Sequence, residues 1–217
     1  MIKNKAMLND WISMYQNEAG VDEALLLAGG PTKPIGSLDS SIQLIESGLF
    51  DKAGFKRLHI AGHPEGCKDI DPDGGIKNVS EALSWKLEFS KRTDASMAIV
   101  TQFCFEADVV KQWAENIKKD GVDIPIHIGI AGPAKLQTLL KFSVECGIGA
   151  SIKVLTKRAK DLTKLLLPYE PTKILQDLSD FKSKDPYLNI EKVHFFPIGG
   201  IKKTVDWVAE IHDQNTL

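Results

Sequence analysis

Five short apolar runs, separated by stretches of helical period, constrain this chain more than any other feature: Glu23 to Ala28, Arg57 to Gly62, Met97 to Gln102, Ile124 to Ile130 and Val193 to Ile198. Runs rich in Val, Ile and Leu without polar alternation read as buried parallel strands, and the stretches between them as crossover helices. Each run closes in small or polar residues. These closing clusters are Ala28-Gly29-Gly30, Ala61-Gly62-His63-Pro64-Glu65-Gly66, Thr101-Gln102-Phe103, Gly129-Ile130-Ala131-Gly132 and Pro197-Ile198-Gly199-Gly200. Ligands of parallel sheets and barrels sit at the carboxyl ends of the strands. The chemistry is therefore expected on that one edge.

The helical stretches follow from period and caps. Met7 to Asn17 carries Met7, Leu8, Trp11, Ile12 and Tyr15 on one face and closes at Gly20. Ser37-Leu38-Asp39-Ser40 caps a helix from about Ser40 to Phe50. The loop from His63 to Gly75 is long for a simple connection, which points to binding, and precedes a helix from Asn78 to Lys91. Further helices are expected over Ala107 to Lys119, with Trp113 and Ile117 facing inward, over Ala134 to Glu145, and over Val154 to Leu167 before Pro168. The last two run from Thr172 to Lys182 and from Ile201 to His212. Ile148 to Ser151 reads equally as a short strand or a turn.

At 217 residues the chain suits one α/β domain. Strand count alone favours an open doubly wound sheet over a closed eight-stranded barrel, which usually takes about 250 residues. No GxGxxG and no GxxxxGK[ST] motif occurs. The 27 basic and 29 acidic residues are interspersed, giving a net charge of -2 and no field to attract nucleic acid or an anionic membrane. A small-molecule partner is expected instead. No signal peptide and no membrane span is expected, so the expected compartment is cytoplasmic.

Several side chains stand out chemically. His63 and Glu65 at a strand end can orient one another and a bound ring, or simply form a loop ion pair. Gln102 interrupts an apolar strand terminus; an unsatisfied buried amide costs roughly 1 to 3 kcal/mol, so it faces either neighbouring backbone or a heterocycle such as a pterin or flavin. The three cysteines form no CxxC pair and no disulfide framework. Cys104 reads as a small core residue, whereas Cys67 is either ligand-facing or a plain loop residue. His194 packs in the last strand. His59, His63, His127, His194 and His212 lack metal-ligand spacing, so no metal is expected.

Taken in order, Ala28-Gly29-Gly30-Pro31, Gly62-His63-Pro64-Glu65-Gly66-Cys67, Thr101-Gln102-Phe103-Cys104-Phe105, Ile128-Gly129-Ile130 and His194-Phe195-Phe196 resemble the methylenetetrahydrofolate reductase family, in a divergent bacterial branch. That family carries an Ala-Gly-Asp strand exit, a Tyr-Pro-Glu-Gly-His loop, a Thr-Gln-Phe-Phe-Phe strand, a Pro-Gly-Ile strand and a terminal His-Phe-Tyr strand. The resemblance spans about residues 21 to 212.

It implies a (β/α)8 TIM barrel of which this chain supplies the last five strands, the first three, roughly 80 residues, being missing. It also implies an FAD-dependent oxidoreductase reducing 5,10-methylenetetrahydrofolate to 5-methyltetrahydrofolate with NADH or NADPH, within one-carbon metabolism and methionine biosynthesis. Ala28, Gly29, Gly30, His63, Glu65, Gly66, Cys67 and Lys86 would then contact the cofactor, and Gln102 would hydrogen-bond the pterin of a tetrahydrofolate derivative. The family's acidic residue is Gly30 here, its Tyr is His63, its later His is Cys67, and its general acid lies on a strand this chain lacks. The alternative implied by those departures is a non-catalytic folate-binding or assembly module, or an inactive truncated fragment. An incomplete barrel exposes two sheet edges, so a homo-oligomer or a partner chain completing the barrel is expected.

Overall fold

A computed structural model of the chain describes residues 2–27, 36–38, 40–147, 155–156 and 168–215. The five expected strands form: β1 (Glu23–Leu26), β2 (Arg57–Gly62), β3 (Ser96–Thr101), β4 (Ile126–Ala131) and β5 (Ile190–Phe196). They belong to one sheet in chain order, β1-β2-β3-β4-β5, and the β1/β2 and β4/β5 ladders are parallel. The order never reverses. A doubly wound sheet has a switch point where it does, so the open doubly wound topology favoured by strand count is corrected to a singly wound one.

The chain groups into two compact units, Met1–Gly62 with Lys68–Val100, and His63–Cys67 with Thr101–Leu217. The first unit opens on α1 (Lys5–Ala19). The Asn4 side chain accepts the Met7 N–H at 2.9 Å at its start, and Gly20 ends it. Leu8 and Ile12 are buried, whereas Met7, Trp11, Met14 and Tyr15 stay exposed.

The helix expected from Ser40 to Phe50 is two short ones, α2 (Ser41–Glu46) and α3 (Leu49–Lys52). Gly48, at φ 69°, adopts the left-handed conformation between them, which breaks the helical path. Phe50 then meets Phe55 edge to face at 5.1 Å.

α4 (Lys77–Ser90) packs Val79, Leu83, Lys86 and Phe89 inward. Its first amides are capped from a distance. Asp71 accepts from Asn78 N–H at 2.9 Å and Val79 N–H at 3.0 Å, and Asn78 Nδ2 returns a bond to Ile70 O at 3.0 Å. The carboxylate thereby satisfies donors that a helix start leaves free.

The second unit holds α5 (Ala107–Lys119), α6 (Leu136–Glu145), α7 (Thr172–Lys184) and α8 (Ile201–Asn215). On α5, Ala107, Val110, Ala114 and Ile117 form the buried face, with Trp113 only half-buried. α6 starts at Leu136 rather than Ala134, because Ala134 instead bridges to Tyr169, with N–H to O bonds of 3.2 and 2.9 Å.

β4 is buried along its whole length, as an apolar parallel strand should be. β5 is not: Glu191 to Val193 are exposed and His194 to Phe196 half-buried, in keeping with its place at the end of the strand order. The β4/β5 register slips between Ile126 and His127. There Glu191 is the extra residue, and its carboxylate lies 3.0 Å from His127 Nε2. The expected helix Val154 to Leu167 and the segment Ile148 to Ser151 lie, apart from Leu155 and Thr156, outside the described residues. Among the described residues no helix is long and apolar enough to cross a membrane.

Candidate functional site

Two of the five strand-end clusters come together, and both belong to the second unit. His63, Pro64, Glu65 and Gly66 follow β2; Gln102, Phe103 and Cys104 follow β3; with Cys146 they line a small cleft open to solvent. The first group is a tight turn closed by Gly66 N–H donating to His63 O at 3.0 Å. Proline and glycine in that turn set its path.

The second group turns because main-chain pairing is reused at the strand exit. Cys104 N–H donates to Gly129 O at 3.1 Å, and Gly129 N–H donates to the buried Thr101 hydroxyl at 2.8 Å. The Phe103 N–H donates to Gln102 Oε1 at 3.1 Å. A main-chain N–H can only donate, so this bond also identifies which amide atom is the oxygen. Gln102 Nε2 makes no hydrogen bond among the described residues. The half-buried amide is thus satisfied at one end by neighbouring backbone and presents a donor at the other.

Cys104 is the buried neighbour expected from sequence. Its thiol donates to Gln102 O at 3.2 Å, and burial, reinforced by the negative charge of Glu65, pushes its pKa far upward. It is a neutral, non-nucleophilic wall. Behind it lies an apolar cluster of Phe103, Phe105, Ala131, Leu139 and Tyr169, against which Cys146 packs.

The clusters after β4 and β5 are used for packing. A Cβ on Gly132 would run into the Thr204 hydroxyl, and one on Gly199 would run into Pro133 O. These glycines let neighbouring chain segments touch, and neither cluster lines the cleft. Sequence reading groups them with the binding edge because a glycine needed for packing and one needed for a ligand look alike.

Among the expected cofactor residues, His63, Glu65 and Gly66 meet Gln102 in the cleft, and Cys67 follows directly in the chain, half-buried. Ala28, Gly29 and Gly30 lie outside the described residues. Lys86 does not join the cleft. It sits on the inner face of α4 in the first unit, 5% exposed, and burial lowers its pKa; it has no hydrogen bond or ion pair among the described residues. Sequence reading missed Cys146, which follows α6 by one residue and carries no local motif. Among the described residues no group of three or more His, Cys, Asp or Glu side chains is placed to hold a metal ion.

No family model matches the chain, so the resemblance to methylenetetrahydrofolate reductases rests on the quoted residues alone. One solved structure, an uncharacterized protein from Clostridium thermocellum described as binding two copies of 5-methyl-5,6,7,8-tetrahydrofolic acid, aligns with 94% of this chain and 68% of its own. The identity is 14% and the TM-score 0.46. A likeness this distant leaves the ligand of this chain to its own residues.

Proposed function

We propose that this chain binds a reduced folate, with the pterin ring in the cleft between the His63 to Gly66 turn and the Thr101 to Phe105 strand exit. The observation that carries the reading is the Gln102 amide, whose oxygen is held by Phe103 N–H and whose Nε2 donor is left for a ligand. Glu65 lines the same cleft. A carboxylate acceptor and an amide donor on neighbouring walls suit the amino and oxo groups of a pterin edge, which offer donors and an acceptor in turn. The buried Phe103 backs this wall from the apolar core.

Calorimetric titration with 5-methyltetrahydrofolate tests this. Saturable heat that weakens in a Gln102→Ala variant supports it, and no detectable heat at high micromolar ligand sinks it.

The second reading is the reductase implied by the resemblance, an enzyme using FAD and NADH or NADPH. It is favoured by His63, Glu65 and Gly66 meeting Gln102 in one cleft. The described residues offer no phosphate cradle: Asp71 takes the first amides of α4, and Lys86 is buried away from the cleft lining. Flavin absorbance in the purified protein, with NADH or NADPH oxidation on adding methylenetetrahydrofolate, distinguishes this enzyme from a binding module.

In both readings the five strands are an arc of a (β/α)8 barrel whose open edges invite completion, a second copy of the chain being one route. β1 and β5 end the strand order, and α1 and α8 each leave an apolar stripe exposed, Met7/Trp11/Met14 and Ile201/Val205/Val208. A monodisperse monomer in light scattering at micromolar concentration would count against completion by a second copy.

A further inference from the structure

An unbroken row of rings crosses the second unit. Tyr169 meets Phe105 at 5.2 Å, Phe105 meets Phe103 at 5.9 Å, Phe103 meets Phe196 at 5.6 Å, and Phe196 meets His194 at 5.0 Å, all edge to face. Tyr169, Phe105 and Phe103 are buried, and the row emerges at the half-buried Phe196 and His194. Phe103, in the middle, is a wall of the cleft.

Two features place the emerging end beside that cleft. Gly129 lacks the Cβ that would fill the space between Phe196 Cε2 and the carbonyl oxygens of Thr101 and Gln102, so the Phe196 ring lies close against the main chain that carries Gln102. Register then pairs Gly129 with His194 and Ala131 with Phe196, which puts both β5 rings on the sheet face shared with Gly129. Burial and the neighbouring His127 lower the pKa of His194, so its ring is neutral at neutral pH. A neutral, half-open ring next to Phe196 stacks on a flat aromatic group without burying a charge.

We propose that Phe196 and His194 form a stacking platform for the arylamide half of the ligand whose pterin edge Gln102 reads. This rests on the folate reading above and names a part of the ligand that the cleft itself does not address. In a reduced folate the p-aminobenzoyl ring is joined to the pterin by a methylene and an amine, so it settles next to the pterin site. Phe196 is the half-open ring already touching the cleft wall.

The experiment compares two probes by calorimetry on the full chain: 5-methyltetrahydrofolate, and 6-methyltetrahydropterin, which lacks the arylamide. Phe196→Leu and His194→Ala are expected to weaken the folate by about fivefold, within the usual worth of an aromatic pair, and to leave the tetrahydropterin unchanged. Gln102→Ala weakens both. Equal weakening of the two probes by the β5 variants, or none, overturns the platform while the folate reading stands; a wild-type protein that binds neither probe overturns the folate reading itself. Near-ultraviolet circular dichroism verifies the fold of each variant, and if Phe196→Leu does not fold, His194→Ala decides the outcome.

Discussion

No Cβ fits at Gly129 beside the ring of Phe196: an added methyl would lie 2.8 Å from Phe196 Cε2 and closer still to Thr101 O. Overpacking against backbone that cannot yield costs about 1–3 kcal/mol. Gly129→Ala should therefore lower the urea midpoint by that amount divided by the m-value, and an unchanged midpoint would show that β5 moves freely away from β4.

Gln102→Glu separates the two ends of that side chain. A carboxylate accepts the Phe103 N–H as the amide oxygen does, so the strand exit is retained, whereas the donor toward the cleft is lost. Affinity for 5-methyltetrahydrofolate should fall at least about tenfold, roughly 1.4 kcal/mol, with the melting temperature little changed. Calorimetry paired with a thermal melt reads both.

Asp71→Ala removes the acceptor for two amides at the start of α4. Loss of a side-chain cap costs about 0.5–2 kcal/mol, and a carboxylate there also complements the helix dipole. Chemical denaturation should place this variant at the upper end of that range, and hydrogen exchange should accelerate first at Asn78 and Val79.

His194 confers a defined pH dependence. Burial and His127 lower its folded pKa below the ordinary 6.5, so between those two values the unfolded chain binds more protons than the folded one. The associated stability is fully present above about pH 6.5 and is lost as pH falls through the folded value. Denaturation midpoints measured from pH 7.5 down to 5 should decline less steeply in His194→Gln than in the wild type.

Lys86 is buried with no charged or hydrogen-bonded partner among the described residues, and desolvation lowers its pKa. Replacing an unpaired buried cation by an apolar chain of similar length relieves that cost. Lys86→Met should raise the urea midpoint at pH 7; a lowered midpoint would reveal a partner anion for the ammonium.

Much of the architecture was legible in local pattern. The apolar runs marked all five strands, and Ser40 and Gly20 stand at helix ends as capping and stop chemistry leads one to expect. Local pattern failed where a distant group won. Ser40 to Phe50 reads as one helix because composition does not reveal that Gly48 takes a left-handed conformation. The start of α4 is capped by Asp71, well before the helix and outside the span that cap motifs cover.

The residue order by itself determined that the strands are parallel, that the polar clusters stand at their carboxyl ends, and that Gln102 is the odd polar group among apolar neighbours. Only the tertiary structure decided which clusters meet. It joined the His63 turn to Gln102, assigned Gly132 and Gly199 to close packing, turned Lys86 into the core and brought Phe196 against Phe103. The reason is physical: strand and helix periods are set by neighbours a few residues away, whereas register and close approach depend on the volumes of side chains far apart in the chain, which a linear pattern does not encode.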